Sequence, residues 1–394
     1  MKNNSILGHL YLGLWSLYWL QGTLFPSGGY MSQGILAILL LVSIYYFFIS
    51  HFKYQLPPVM KTMTLMVVLF MVYGLFAIIS GQTYYISENG LTVKAYGYLK
   101  NVLISFLPVY TVYVETRQGH LTEKSMRIWT LIFLAVAIIG FYRRQSDSLA
   151  QLALAGSMRD EVVNNSTYSV LALMVLIPLF KQRPFVQYVL FAACMFFILI
   201  GLKRGAIVCG SAAMLWFLFN YRRGTKKGVG VFLLTAAVVV AALYAVSYML
   251  ETSAFFNQRL EATLAGSSGH RDEIYRILFN HFIYETSILQ FLFGNGANAT
   301  LKIAMNYAHN DWLEMAIDQG LFMVIVYAVY WFRMYKTIRR SRGDDTVYLM
   351  LSLFFVIYFI KTFFSMSYSE LPTWASAGLG FALANYSVEN ETNH

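Results

Sequence analysis

A short polar stretch of this chain carries residue types that can move a proton at a membrane boundary. Residues 307–314 end the polar segment 251–311 and open a long apolar run. They include His309, and an imidazole with an ordinary pKa of about 6.5 can accept a proton at neutral pH. His309 is therefore a candidate general base; the alternative is a histidine that only hydrogen-bonds a loop carbonyl. Glu314 is a candidate for orienting His309, and the alternative is that Glu314 faces water.

A pair of adjacent basic residues forms a second candidate site. Lys203 and Arg204 make a two-residue turn between two apolar segments, where a neutral turn would insert into a membrane more easily. An arginine kept at the hydrocarbon boundary indicates an anionic ligand. The alternative is that its side chain reaches out to lipid phosphates.

The polar segment contains one pattern typical of an amphipathic helix, at residues 271–283. Its apolar side chains repeat at four-residue intervals: Ile274, Leu278 and Phe282. Arg271 and Tyr275 fall one turn apart, on one face. A positive charge at a helix start opposes the helix dipole, so Arg271 is a candidate for function. We expect this helix either to lie on the outer leaflet or to pack over the bundle.

Other chemistries find little support. The histidines at 270, 281 and 309 share no metal-ligand spacing, and the chain has no HExxH, CxxC or GxSxG motif. We therefore expect no metal, no cofactor and no serine nucleophile. Cys194 and Cys209 both fall in apolar runs, which favours buried core residues over a disulfide.

Composition sets the class of protein. The chain has 394 residues, of which 58% are hydrophobic and 12% charged, whereas soluble proteins carry about 25% charged residues. Apolar runs long enough to cross a bilayer recur along the whole length. The net charge is +10. Cytoplasmic loops of membrane proteins carry an excess of Lys and Arg, which accounts for this charge, so nucleic-acid binding is not expected. The sequence predicts an all-α, polytopic integral membrane protein.

About twelve transmembrane helices are predicted, with both termini inside. They lie near residues 6–21, 30–50, 59–80, 97–115, 125–142, 166–181, 185–202, 205–221, 229–250, 312–334, 346–366 and 372–388. Asn310 or Asp311 can cap the tenth. The chain divides into 1–165 (spans one to five and an outer loop), 166–250 (spans six to nine), 251–311 (the large outer loop, with short amphipathic helices) and 312–394 (spans ten to twelve and an inner tail). In this arrangement most of the 29 basic residues fall in inner loops.

Three motifs occur in a fixed order. They are Lys203-Arg204-Gly205-Ala206 opening a span, Ser268-Gly269-His270-Arg271 followed by Tyr275, and Ala308-His309-Asn310 with Leu313. The ordered set, the large outer loop and the twelve spans resemble the O-antigen ligase/O-antigen polymerase family of polytopic glycosyltransferases. The resemblance covers about residues 160–370. One departure is Lys203, where the family more often has a small hydroxyl residue.

The resemblance implies an activity. Such enzymes transfer a glycan from undecaprenyl diphosphate at the periplasmic face of the bacterial inner membrane, with neither nucleotide sugar nor metal. Polymerases pass it to the end of another lipid-linked repeat, and ligases pass it to the core of lipid A. The implied partners are the lipid-linked donor, the glycan acceptor, membrane lipids and, as a candidate, a chain-length regulator.

The same resemblance assigns roles to residues. His309 is the expected general base of an inverting transfer, and Glu314 is a candidate for orienting it. Binding of the diphosphate and substrate falls to Arg204, Arg271, Lys203, Tyr275, Arg276 and Asn310. We interpret the chain as a polymerase, with a ligase as the alternative and a flippase or a non-catalytic assembly subunit as more distant ones. A flippase predicts basic residues at mid-membrane, whereas here the spans are nearly free of charge and the basic residues that are not in inner loops cluster at the outer boundary. The enzymatic interpretation requires the three motifs to lie together.

Overall fold

A computed structural model describes residues 6–86, 91–156, 162–224, 271–365 and 377–385, together with isolated positions between 244 and 261. The described residues are mostly helical (81%), as expected for an all-α membrane protein. Among the described residues, four helices are long and apolar enough to cross a membrane: Tyr30–Lys53, Pro58–Ile79, Glu123–Leu154 and Asp311–Gly343. The last of these ends in a short 3-10 turn, Ser341–Gly343. The predicted ninth span, 229–250, falls almost entirely outside the described residues.

The helices before the polar segment follow the predicted apolar runs. They are α1 (Leu7–Trp19), α2 (Tyr30–Lys53), α3 (Pro58–Ile79), α4 (Ala95–Phe106), α5 (Pro108–Arg117), α6 (Glu123–Leu154), α7 (Thr167–Leu173), α8 (Pro184–Ile200) and α9 (Arg204–Gly224). Cys194 and Cys209 are both buried and free, as predicted.

The described part of the polar segment, with the chain beyond it, forms further helices. They are α10 (Arg271–Asn280), α11 (Ile288–Phe293), α12 (Ala299–Ile303), α13 (Asp311–Arg340) and α14 (Asp345–Lys361). Residues 377–385 are also helical. The helix predicted at 271–283 is present as α10, which ends at Asn280 and continues as a π-helical turn, His281–Glu285. Asn310 caps α13 by accepting hydrogen bonds from the backbone N–H groups of Trp312 and Leu313. The hydroxyl candidates before α10, at residues 267–268, lie outside the described residues.

Three predicted spans differ from the helices observed. Pro108 divides the segment 97–115 into α4 and α5, and residues Met174–Phe180, which contain Pro178, form a 3-10 helix after α7. Proline lacks a backbone N–H and clashes with the preceding turn, which explains both changes. The fifth predicted span, 125–142, is part of a longer helix: α6 runs on to Leu154, and Arg143 pairs with Asp147 one turn further along.

A small antiparallel sheet was not predicted. Strands β1 (Thr83–Ile86) and β2 (Leu91–Lys94) pair with Thr83 opposite Lys94 and Ile86 opposite Leu91. The hairpin stands between α3 and α4 and contacts α12. It therefore lies against the polar segment rather than within the helical bundle.

The last two long helices run antiparallel and define two ends of the bundle. At one end, the backbone N–H of Asp311, which begins α13, donates to the carbonyl of Thr362, just after α14 (2.9 Å). At the other end, the Arg333 guanidinium donates hydrogen bonds to the start of α3, namely to the carbonyl of Pro58 (3.1 Å) and the hydroxyl of Thr62 (2.7 Å). The predicted site motifs lie at the first end.

Candidate functional site

A turn at residues 362–365, directly after α14, receives contacts from all three sequence motifs. The Arg271 guanidinium donates to the carbonyl of Phe364 (2.8 Å), and the Asn310 amide donates to the carbonyl of Phe363 (3.1 Å). Gly205 packs so closely against this turn that a β-carbon there would approach the Phe364 ring to 2.6 Å. The 362–365 turn therefore brings together motifs that lie far apart in sequence.

The first motif reaches the turn because α9 packs along α14. The Cys209 thiol donates to the carbonyl of Ile357 (3.4 Å), and the Trp216 indole donates to the Ser352 hydroxyl (2.8 Å). Arg204 is the first residue of α9 and is partly buried. A helix start also presents backbone N–H groups, so this end of α9 favours an anion on two counts.

The second motif lies on α10. Ile274 and Leu278 are buried in a small apolar cluster with Ala299, Ala308 and Ile317. This packing confirms one of the two expected positions for the helix, over the bundle. Arg271 and Tyr275 lie beside these buried residues on α10, with Tyr275 packed against the same cluster. From there Arg271 reaches the 362–365 turn and Tyr275 reaches the loop after α12.

Tyr275 lies between the second and third motifs. Its hydroxyl reaches the carbonyl of His309 at 3.5 Å, the outer limit of a hydrogen bond. Burial raises the pKa of Tyr275, and the positive charge of Arg271 opposes that rise. The phenol is therefore neutral at physiological pH and acts as a hydrogen-bond donor rather than as a base.

His309 has an uncommon backbone conformation, with a φ of 52°. It is held from both sides. The N–H of Ala308 donates to the Glu314 carboxylate (2.7 Å), and Asn310 caps α13. Glu314 is buried and also accepts from the Thr300 hydroxyl (2.7 Å). Glu314 thus contacts the residue before His309 and does not face water.

Positive φ values concentrate around this site. In the part of the chain that the structure describes, the residues other than glycine that have them are Leu202, Asn298, Met305 and His309. Leu202 immediately precedes Lys203, and the other three lie within residues 298–309. Such conformations cost about 1–3 kcal/mol and persist where the surrounding structure imposes them, often at functional sites.

A break in α13 shapes the loop that carries His309. Gly320 has φ 78° and ψ −178°, which interrupts the helix. The carbonyls of Ile317 and Asp318 instead accept from the backbone N–H groups of Asn295 and Gly296, each at 2.9 Å. The loop after α11 therefore replaces helical hydrogen bonds that the break removes.

Asp318 completes this arrangement. Its buried carboxylate accepts from the N–H groups of Asn298 (2.9 Å) and Thr300 (3.2 Å) at the start of α12. With Glu314 one turn earlier, it fixes both ends of the segment 298–308 to α13. The two carboxylates act on the loop backbone, and through it on His309.

Two residues near the site were missed by sequence reasoning. Lys361 is fully buried at the end of α14, and its ammonium lies 4.2 Å from the centre of the Tyr168 ring. Lys203 lies over the same ring, at 5.9 Å. A lysine within an apolar helix is a sequence signal for function and could have indicated Lys361. Tyr168 has no comparable signal, because tyrosines are spread along the chain.

Arg276, also predicted as a site residue, lies away from Arg271 and Tyr275 on α10. It is exposed, and at 100° per residue it projects from a different side of α10 than Arg271 and Tyr275. Residues 268–270 of the second motif lie outside the described residues.

We expect Glu314→Ala to destabilise the protein. The change would leave the Ala308 N–H and the Thr300 hydroxyl buried without an acceptor, at about 1–3 kcal/mol for each unsatisfied group. Glu314→Gln keeps one acceptor oxygen and should cost less. The measurement is the thermal unfolding midpoint in detergent, with the exposed Glu285→Ala on the same polar segment as control. Equal midpoints for Glu314→Ala and Glu285→Ala would contradict the assigned role.

Within residues 6–86, 91–156, 162–224, 271–365 and 377–385, no three histidine, cysteine, aspartate or glutamate side chains are grouped as metal ligands. The site consists instead of a histidine, guanidinium and ammonium groups, amides and a phenol. Such groups suit proton transfer and the binding of phosphate oxygens. No protein-family model matches the chain, and no curated protein matches it.

Proposed function

We propose that this protein is a membrane-embedded glycan polymerase of the bacterial inner membrane. It transfers a glycan from undecaprenyl diphosphate to the end of another lipid-linked repeat at the periplasmic face. The observation that carries the proposal is the convergence of the three motifs on the 362–365 turn. The proposed topology has about twelve spans with both termini in the cytoplasm, and it places this turn on the periplasmic side.

The residues at the turn match the needs of such a transfer. The acceptor hydroxyl attacks the anomeric carbon, its proton passes to His309, and the bond to the diphosphate breaks with its electron pair remaining on the leaving oxygen. Attack opposite the leaving group inverts the anomeric carbon. Charge that develops on the diphosphate is stabilised by Arg204 and Arg271, since guanidinium groups bind phosphate oxygens in pairs.

Arg271 can serve both the fold and the ligand. A guanidinium has five N–H donors in a planar fork, and the bond to the Phe364 carbonyl uses one nitrogen, Nη1. The remaining donors can bind diphosphate oxygens. Lys203 adds charge beside Arg204, and Asn310 and Tyr275 supply polar contacts for the glycan.

We expect Arg271→Ala to lower transfer by about 10²–10³-fold, the usual cost of removing one donor that stabilises developing charge. Arg271→Lys should recover part of the loss, because it restores the charge but not the fork. The assay is polymerisation of purified lipid-linked repeats, followed on a gel. Arg144→Ala, an exposed arginine on α6, is the control. An Arg271→Ala variant as active as Arg144→Ala would refute the diphosphate role.

Deletion of the gene tests the proposal against its alternatives. With a polymerase missing, the surface-glycan gel should show a single repeat on lipid A. Long chains stranded on undecaprenyl diphosphate would instead identify a ligase. Loss of every repeat from lipid A, with single lipid-linked repeats retained on the cytoplasmic side, would identify a flippase.

A further inference from the structure

The segment 279–293, which includes α11, exposes a continuous set of large apolar side chains. They are Phe279, Ile283, Tyr284, Ile288, Leu289, Leu292 and Phe293. Ile288 is 80% exposed and Leu289 69% exposed, which is unusual for adjacent residues that face water. We propose that the 279–293 segment is immersed in the lipid leaflet at the site end of the bundle. The inference does not depend on the proposed enzymatic activity.

The exposed surface of α10 and α11 changes character along the chain. Near the start of α10, the exposed side chains are charged: Asp272, Glu273 and Arg276. From Phe279 onward the large exposed side chains are apolar, and the exposed polar ones are Asn280, Glu285, Ser287 and Gln290. Of these, Glu285 contacts His281 at 2.7 Å. This gradient is that of an element whose first turns face water and whose end enters an apolar medium.

A hydrogen bond to α3 indicates how deep the end of α11 lies in the bilayer. The Tyr73 hydroxyl donates to the carbonyl of Phe293. Tyr73 stands six residues before Ile79, the last residue of α3, which is about 9 Å along a helix that rises ~1.5 Å per residue. The end of α11 therefore lies alongside the body of an apolar helix rather than above it.

The exposed side chains of the segment continue the outer surface of two candidate spans. On α3, Val72 and Phe76 are exposed, and on α13 so are Phe322 and Ile325. The Phe293 ring contacts that of Phe322, with 6.4 Å between centroids. Because α3 and α13 are long and apolar enough to span the bilayer, the lipid that covers their outer faces also covers α11. Because the apolar surface is continuous from α3 and α13 to α11, we infer that lipid acyl chains cover the exposed face of α11.

The backbone of the segment is suited to an environment without water. Polar groups in hydrocarbon must be satisfied internally. The Ser287 hydroxyl accepts from the Gln290 N–H while the Gln290 side chain accepts from the Ser287 N–H, and the Gly294 N–H closes the helix on the Gln290 carbonyl. The Thr286 hydroxyl donates to the Phe282 carbonyl (2.7 Å). These bonds satisfy groups at both ends of α11 locally.

Fluorescence quenching in lipid nanodiscs tests this placement. Single cysteines replace Leu289 or Ile288 in a Cys194→Ala, Cys209→Ser background and are labelled with a fluorescent maleimide. Glu273→Cys serves as the water-facing control and Phe76→Cys as the lipid-facing one. We expect the labels at 288 and 289 to lose fluorescence to spin-labelled phospholipids and to be protected from iodide, as at 76. The label at 273 should show the reverse.

Two results would overturn the inference. Quenching at 288 and 289 by iodide, as at 273, would place the segment in water. Protection from both quenchers would show that protein covers the segment, either a second copy or another partner. Both labelled positions are exposed, so neither substitution disturbs the packed core.

Discussion

His309→Asn is expected to lower glycan transfer by about 10²–10⁴-fold, the usual contribution of a general base, while leaving the protein folded. Asparagine tolerates the positive φ that His309 adopts. Its amide is not basic, so it cannot take the proton from the attacking sugar hydroxyl. The loop should keep its position, because the Ala308 N–H remains bound to Glu314 and Asn310 still caps α13. The substitution therefore separates the chemistry of the side chain from the geometry of the loop.

The measurements for this variant are the transfer rate with purified lipid-linked substrates and the thermal unfolding midpoint. His281→Asn is the matched control, since His281 lies in the same polar segment and pairs with Glu285 instead. We expect the control to transfer glycan at the parent rate. A His309→Asn protein that makes full-length product at normal abundance would remove the proposed enzymatic role.

Gly320→Ala is expected to be the most destabilising single-methyl change at the site. The φ and ψ of Gly320, 78° and −178°, belong to a region that is almost restricted to glycine, and other residues pay about 1–3 kcal/mol there. Space is lacking as well. A β-carbon would overlap the backbone nitrogen of Gly294 and approach the carbonyl carbon of Leu292 to 2.5 Å. The loop after α11 would have to move away from α13.

That movement would weaken the hydrogen bonds from Asn295 and Gly296 to the carbonyls of α13. These bonds hold the start of the loop that carries His309, so the loop would also lose its position. We expect both a lower unfolding midpoint and a loss of transfer. Gly140→Ala in α6 is the control, because open space surrounds its β-carbon position and alanine favours a helix by about 1 kcal/mol. If Gly320→Ala unfolds at the same temperature as Gly140→Ala, the close approach of α11 and α13 is wrong.

Local features of the fold were predictable from the sequence. The class of protein follows from composition, and the apolar runs gave the approximate positions of the helices that the structure describes. The amphipathic helix at Arg271 and the Asn310 cap were also predicted, since periodicity and capping depend on residues a few positions apart. The breaks at Pro108 and Pro178 had a visible cause in the sequence, but apolar periodicity outweighed it. The β-hairpin had no comparable apolar pattern.

The candidate site also has features that the sequence determined and features that only the tertiary structure decided. The sequence alone determined which residue types were available for chemistry, Arg204, Arg271 and His309 among them, because charged and titratable groups are rare in so apolar a chain. Only the tertiary structure decided that their motifs meet at the 362–365 turn, that Lys361 shares the Tyr168 ring with Lys203, and that α11 lies beside α3. The contacts involved join residues between about 35 and 220 positions apart, and helix packing and the break at Gly320 decide them rather than any local preference of the chain.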